Sequence, residues 1–377
     1  MKNIERLRDA LVQSEQLAVV ISNLPAIYWL TGFTGSFGLA VVTRDSGVFL
    51  TDSRYTIQAG EQCQDLPVDS FRNPQKAEGF LAEHVARLGI EKLAFDRNHV
   101  TVGTLEKWAE ALSDVELIPG EDPIDNLRMI KSADEIAKVR HCCGISDKAL
   151  EHLLTLVRPG VSELELLWAF QDFLRQHSAT SAFDPIMVSG AKTARPHGNP
   201  GEKLLEKGDF ITFDLGACVD GYNSDITRTV VLGPASDRQR ETYEQLLKAQ
   251  CACIDAMKPG VNGKDVDGLA RQILDEKDLA QHFGHGLGHG LGALVHDTGR
   301  LSSTVDQDIC AGQIWTIEPG VYIEGFGGMR IEDDIVITDN GCEVLTAFPK
   351  HLIEIDCYRL VWSGPQDSGT LIDADLR

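Results

Sequence analysis

Apolar residues recur at helical spacing near the start of the chain, at Ile4, Leu7 and Leu11, and predict an amphipathic helix over residues 3–15. A short apolar run from Leu17 to Ile21 reads as a strand. Leu39–Thr43 and Val48–Thr51 form a hairpin across Arg44-Asp45-Ser46-Gly47. Helical segments near 75–88 and 102–112 flank a strand from Lys92 to Phe95. Alternation of strand and helix favours a sheet with helices packed on it. The glycine- and aromatic-rich stretch Tyr28 to Ser36, YWLTGFTGS, reads as an exposed loop. It is either a plain turn or a segment that contacts a partner subunit or lines a cleft.

Past Pro123 the pattern changes. Ser132-Ala133-Asp134-Glu135 has the Ser-x-x-Glu form of a capping box and opens a long helix to about Leu156; Ser162 to Glu165 repeats the device and opens a helix to about His177. Phe210 to Val230, FITFDLGACVDGYNSDITRTV, reads as two strands joined by a turn at Asp220-Gly221-Tyr222-Asn223.

This second region repeats itself. Val157-Arg158-Pro159-Gly160-Val161-Ser162 recurs as Met257-Lys258-Pro259-Gly260-Val261-Asn262, 100 residues on, and His197 and His296 lie 99 apart. The hairpin has a counterpart from Ile314 to Ile335, with a glycine-rich turn at Gly325 to Gly328. Asp214 matches Glu318 at an offset of 104, and Asp225 matches Glu332 at 107. Four matches in one order indicate a duplicated α/β unit whose halves face each other.

Composition narrows the function. A chain of 377 residues is too long for one ordinary core, so two domains are expected. A net charge of -22 argues against nucleic acid or an anionic membrane as partner. The nine cysteines form no CxxC pair, which points to a reducing compartment. The N-terminus has no apolar core of a signal peptide and no run approaches a membrane span, so a cytoplasmic enzyme is expected.

The chemistry lies in the duplicated hairpins. Asp214 and Asp225 stand where an apolar core prefers Val or Ile, and a buried unpaired carboxylate costs several kcal/mol, so each needs a cation or donors. Two carboxylates from each half can converge on one centre. Between the hairpins lies His285-Gly286-Leu287-Gly288-His289-Gly290-Leu291-Gly292, whose glycines allow close backbone approach and clear space around an imidazole. Four carboxylates and one imidazole suit two divalent ions such as Mn²⁺, Co²⁺ or Zn²⁺, held roughly 3.5–4 Å apart. The plainer alternative is a set of salt-bridged structural carboxylates.

The stretches DLGACVDGYNSDITRT, GHGLGHGLG, TIEPGVYI and GGMRIEDDIVIT together resemble the pita-bread metallopeptidases, in particular the Xaa-Pro aminopeptidase and prolidase branch. YWLTGFTGS and LTDSRY resemble that family's N-terminal domain. Methionine aminopeptidases lack such a domain, and creatinase lacks the ligand set. The resemblance implies an α/β (α+β) chain in three parts. Residues 1–125 are a small creatinase/prolidase-like domain, 128–356 a duplicated pita-bread catalytic domain, and 357–377 a C-terminal extension with no assigned role.

It further implies metal ligation by Asp214, Asp225, His289, Glu318 and Glu332, with Asp225 and Glu332 bridging two divalent ions, Mn²⁺ first and Co²⁺ or Zn²⁺ next. Glu318 moves a proton from a metal-bridging hydroxide's parent water towards the leaving amine. His197 and His296 flank the scissile peptide, His285 borders the pocket beyond it, and Arg330 organises Glu332. The implied activity is hydrolysis of the Xaa-Pro bond at the N-terminus of proline-containing peptides by a homodimer. The alternatives are a prolidase restricted to dipeptides, a dinuclear hydrolase of another amide or ester, and a metal-binding module without peptidase activity. Arg195 adds a cation where relatives carry a small residue, and either meets a substrate carboxylate or points into solvent.

Overall fold

The structure, a computed structural model, describes residues 2–13 and 18–356 and the backbone of 359–361. It comprises two compact units, one ending at Ile130 and one beginning at Lys131.

The first unit starts with α1 (Asn3–Gln13), β1 (Ala18–Ile21), α2 (Leu24–Thr31), β2 (Leu39–Thr43), β3 (Gly47–Asp52) and α3 (Thr56–Gln62). It continues through β4 (Val68–Phe71), α4 (Ala77–Arg87), β5 (Lys92–Asp96), α5 (Val102–Ala111), β6 (Glu116–Gly120) and α6 (Pro123–Met129). The strands form one sheet in the order β4-β3-β2-β1-β5-β6. Val19 and Ile21 join a core with Leu7, Leu11 and Ile27 on one face. Ala18 and Val20 join Leu81, Val85 and Phe95 on the other. Both faces are covered, which is why β1 is an unbroken apolar run.

One expectation is corrected here. Tyr28 to Thr31 are not an exposed loop but the last turn of α2, with Trp29 and Leu30 buried. Pro25 in the first turn and Gly32 at φ 76° after the last one bound the helix.

The second unit opens with α7 (Ala133–Leu156) and α8 (Glu163–Gln176), and both expected capping boxes are formed, at Ser132/Glu135 and Ser162/Glu165. Next come β7 (Thr180–Ser181), β8 (Ile186–Ser189), β9 (Phe210–Leu215), β10 (Ala217–Val219), β11 (Tyr222–Asn223) and β12 (Ile226–Leu232). The second half repeats the plan: α9 (Asp237–Ala256), α10 (Gly263–Asp275), β13 (Gly288–Gly290), β14 (Asp297–Leu301) and β15 (Ile314–Ile317). It ends with β16 (Gly320–Ile323), β17 (Gly327–Arg330), β18 (Asp333–Ile337), β19 (Cys342–Val344), β20 (Glu354–Asp356) and β21 (Arg359–Val361). Apart from the backbone of β21, the expected extension 357–377 lies outside the described residues.

Two five-stranded sheets result, β21-β20-β12-β9-β8 and β14-β13-β15-β18-β19. The repeat extends to backbone geometry. Val157 and Met257 end their helices at the same ψ of 116°, and Gly160 and Gly260 follow at φ 87° and 85°. Gly160 N–H donates to Leu205 O at 3.0 Å, and Gly260 N–H to Ile309 O at 2.9 Å. The two hairpins are β9/β12 and β15/β18. Between their strands, the first half inserts β10 and β11 and the second inserts the longer β16/β17 ribbon.

Candidate metal centre

The hairpin registers decide where the carboxylates fall. Asp214 is paired with Thr227 inside β9/β12, and Asp225 immediately precedes β12. In the other half Ile317 pairs with Asp333, so Glu318 leaves the end of β15 and Glu332 leads into β18. The halves then hold each other. Glu332 N–H donates to Thr227 O at 3.1 Å, and Asp225 N–H donates to the Asp334 carboxylate at 2.9 Å.

His289 sits in β13 between glycines that admit no side chain. A Cβ at Gly288 would lie 2.0 Å from Thr316 O, and one at Gly290 2.1 Å from Thr298 O. The imidazole Nδ1 is 3.1 Å from Gly290 O, a carbonyl that can only accept, so the proton belongs on Nδ1 and the Nε2 lone pair is free to ligate. Nε2 faces Asp225 Oδ2 at 3.6 Å and Glu318 Oε1 at 3.4 Å. Asp225, His289 and Glu332 each bring a ligand atom within 4.8 Å of the others, a cluster able to hold a metal ion.

The donor set fits a cation. Asp214, Asp225 and Glu332 are buried, and Glu318 is mostly so. Burial, then the Glu332 charge, pushes the Asp225 carboxyl well above its ordinary range. Glu332 is likewise raised by burial and by Glu318, and Glu318 is raised to about 7, chiefly by burial. His289 is lowered to about 3 by burial and by His296, which keeps it neutral. Asp214 Oδ1 and Asp225 Oδ1 are buried with no hydrogen-bond donor. Carboxylates that repel one another and retain unused buried oxygens are stabilised by divalent positive charge at their centre.

Arg330 is the guanidinium inside this acidic cluster. It was expected to organise Glu332, but its Nη2 bonds Asp214. It reaches Glu332 indirectly: Nε donates to Thr227 Oγ1 at 3.0 Å, and that hydroxyl donates to Glu332 Oε2 at 2.5 Å. Nη1 lies 2.6 Å from the Tyr322 hydroxyl, which is also 3.0 Å from His285 Nε2. Burial opposes the charge on Arg330, yet Tyr322 and the carboxylates hold its pKa well above the ordinary value.

The remaining candidates surround this cluster. The His296 ring is exposed and 4.3 Å from that of His289. His197 is exposed in a turn after a 3₁₀ segment, Gly190–Ala194. His285 is lowered to about 4, first by burial. Arg195 is exposed beside that turn.

Sequence reasoning missed Thr227, Thr316, Tyr322 and Asp334. Each had a local signal, since all four lie in the motif stretches and three stand two residues from a ligand on a strand. Thr316 Oγ1 accepts from His289 N–H at 3.0 Å and donates to Glu318 Oε1 at 3.3 Å.

Residues 3–130 match the model of the creatinase/prolidase N-terminal domain, and residues 137–339 that of metallopeptidase family M24. An uncharacterized peptidase of Bacillus subtilis is 40% identical over 351 residues, 93% of this chain and 99% of the relative. A solved Xaa-Pro dipeptidase from Bacillus anthracis superposes with a TM-score of 0.90 at 38% identity, covering 93% of this chain and 99% of that one. The X-Pro aminopeptidase of Thermotoga maritima gives 0.84 at 34%, covering 90% and 99%. With its ligand cluster, its paired halves and these likenesses, the chain belongs to metallopeptidase family M24 and carries the pita-bread fold.

Proposed function

We propose that this metallopeptidase hydrolyses the bond between an N-terminal residue and a following proline, using two divalent ions held by Asp214, Asp225, His289, Glu318 and Glu332. The reading is carried by the cluster in which Asp225, His289 and Glu332 converge within 4.8 Å, with Glu318 3.4 Å from the imidazole. When bound, the ions supply Lewis acidity, which makes water a nucleophile near neutral pH and polarises the scissile carbonyl. Asp225 and Glu332 are the carboxylates we assign to both ions. Manganese is the ion assigned first, ahead of cobalt and zinc.

The chain's own residues do the rest. Glu318 takes the proton of the attacking water and passes it to the proline nitrogen as the C–N bond breaks. That nitrogen carries no hydrogen in the peptide and leaves as a secondary amine, so the proton must be delivered. His296 and His197 donate to the oxyanion of the tetrahedral intermediate, where charge is greater than in the ground state. His285, backed by Tyr322, borders the pocket for the proline ring. Arg330 fixes Asp214 and, through Thr227, Glu332.

Dipeptides are the substrates we favour, because the Bacillus anthracis structure described as an Xaa-Pro dipeptidase is nearer in both identity and superposition. Longer peptides are the second reading, supported by the Thermotoga maritima aminopeptidase. We also assign a homodimer, which sedimentation would test. The deciding experiment measures metal per chain after Mn²⁺ loading and assays Ala-Pro beside Ala-Pro-Ala. Two ions with faster cleavage of Ala-Pro support the dipeptidase, and the reverse supports the aminopeptidase. Two ions with no cleavage of either would leave a binding module or another hydrolase, and no bound metal would end the proposal.

A further inference from the structure

We propose that Asp267 and Arg271, one turn apart on α10, are positioning residues that hold the His285 segment, and through it the Glu318 backbone, in register with the metal centre. The inference rests on the peptidase reading above for its kinetic consequence, though not for its structural one.

Asp267 is fully buried, and Arg271 Nε lies 2.7 Å from its carboxylate. An i,i+4 pair on a helix surface usually stabilises that helix alone, by a few tenths of a kcal/mol. Here the remaining bonds of both groups leave the helix. Arg271 Nη1 donates to Phe283 O at 2.9 Å and Nη2 to His285 O at 2.7 Å. Its guanidinium also lies over the Phe283 ring, 4.5 Å from the centroid. Asp267 Oδ1 accepts from Leu287 N–H at 3.1 Å. The opposite edge of that residue continues the chain of bonds: Leu287 O accepts from Glu318 N–H at 2.8 Å. One acid–base pair thus fixes three successive points, at residues 283, 285 and 287, on the segment that carries His285 and runs into His289.

The duplicated frame does not require this pair. At the 100-residue offset set by Gly160 and Gly260, the first half has Leu167 and Gln171 in α8. Leu167 packs on the apolar core there. The charged clamp occurs in the half that supplies the glycine-rich histidine segment. Phe283, Leu287 and His289 of that segment are buried, and its glycines leave gaps between them, so bonds to its backbone add to what holds it in place. A lysine cannot replace the fork, since one ammonium does not span a carboxylate and two carbonyls in the guanidinium plane.

An open cavity of about 600 Å³ adjoins the pair, lined by Lys264, Asp265, Gly268, Gln272 and Ser303. It gives a small cation access to the space vacated by an Arg271→Ala substitution. The test uses the full-length Mn²⁺-loaded protein as wild type, Arg271→Ala and Arg271→Lys, with amide hydrogen exchange of residues 283–289, metal content, and kcat and KM for Ala-Pro. In Arg271→Ala, exchange in that segment is expected to rise at least ~10-fold while the rest of the unit is unchanged. KM rises more than kcat falls, for a combined loss of about 10- to 100-fold, with metal per chain unaltered. Guanidinium chloride at millimolar concentration restores both readings; sodium chloride does not. Arg271→Lys keeps the charge beside Asp267 and shows the same local loosening, and it decides the matter if the alanine variant does not fold. Unchanged exchange, loosening spread over the whole unit, loss of metal in step with activity, or failure of guanidinium to rescue would each overturn the clamp. If the wild type cleaves no proline peptide, the peptidase reading falls while the exchange measurements still judge the clamp.

Discussion

The two halves of the catalytic unit share a frame and differ in what they hang on it. Both run helix, proline–glycine linker, helix and carboxylate hairpin, with matching backbone angles at Gly160 and Gly260. The first half contributes Asp214 and Asp225, the Thr227 hydroxyl and the exposed turn bearing His197. The second contributes glutamates one methylene longer, the histidine segment, and the β16/β17 ribbon bearing Tyr322 and Arg330. Where the halves coincide, the frame delivers carboxylates; where they diverge, the divergence lies in insertions and loops. A scaffold built twice can therefore be asymmetric in chemistry while remaining symmetric in packing.

That contrast can be broken at several points. The largest effect is expected from Asp225→Asn in the first half, matched by Glu332→Gln in the second. Both should lose bound metal and at least ~10³-fold in activity, since each removes charge that the proposed function assigns to both ions; metal analysis with Ala-Pro hydrolysis checks this. His296→Ala alters a residue that is not assigned as a ligand and whose counterpart in the first half is His197. It should keep its metal and lose about 10²–10³ in kcat, a separation that single-turnover kinetics on metal-replete enzyme would read. Thr227→Val sharpens the dependence of one half on the other, because its hydroxyl serves Glu332 and Arg330. Metal affinity should fall by about 10- to 100-fold, as for other groups that orient ligands, with competition against a chelator as the assay. The smallest effect compares equivalent helix caps. Ser162→Ala removes a full capping box, and Asn262→Ala a single cap bond from Lys264 N–H with a long 3.4 Å bond to Asp308. Each should cost about 1 kcal/mol, the serine more than the asparagine, as measured by urea unfolding.

The frame was legible because it is local. Capping boxes at Ser132 and Ser162 announce helices through two bonds within four residues, and the carboxylates announce themselves by standing in apolar strands. The duplication was legible as repeated linkers and spaced acids. Tertiary partners were not. The resemblance ties Arg330 to Glu332, its neighbour in sequence, whereas the fold carries it to Asp214, 116 residues away. Tyr322 and Asp334 lie in the motif stretches yet gained meaning only from His285 and Asp225, which no spacing reveals. In the first unit, β4 and β6 are half-exposed edge strands of mixed polarity, VDSF and ELIPG, and lack a clear period. Helix α2 reads as a loop in the sequence because glycines beyond its end mask the apolar turn before it.

The reciprocal bonds from Glu332 N–H to Thr227 O and from Asp225 N–H to Asp334 also bear on ancestry. Each half lends the other the backbone acceptor or carboxylate that steadies its own acid. A solitary half would face solvent with half a centre, so an unduplicated forerunner would have bound its ions between two copies of itself. The duplicated chain reads, on this view, as two such copies joined end to end.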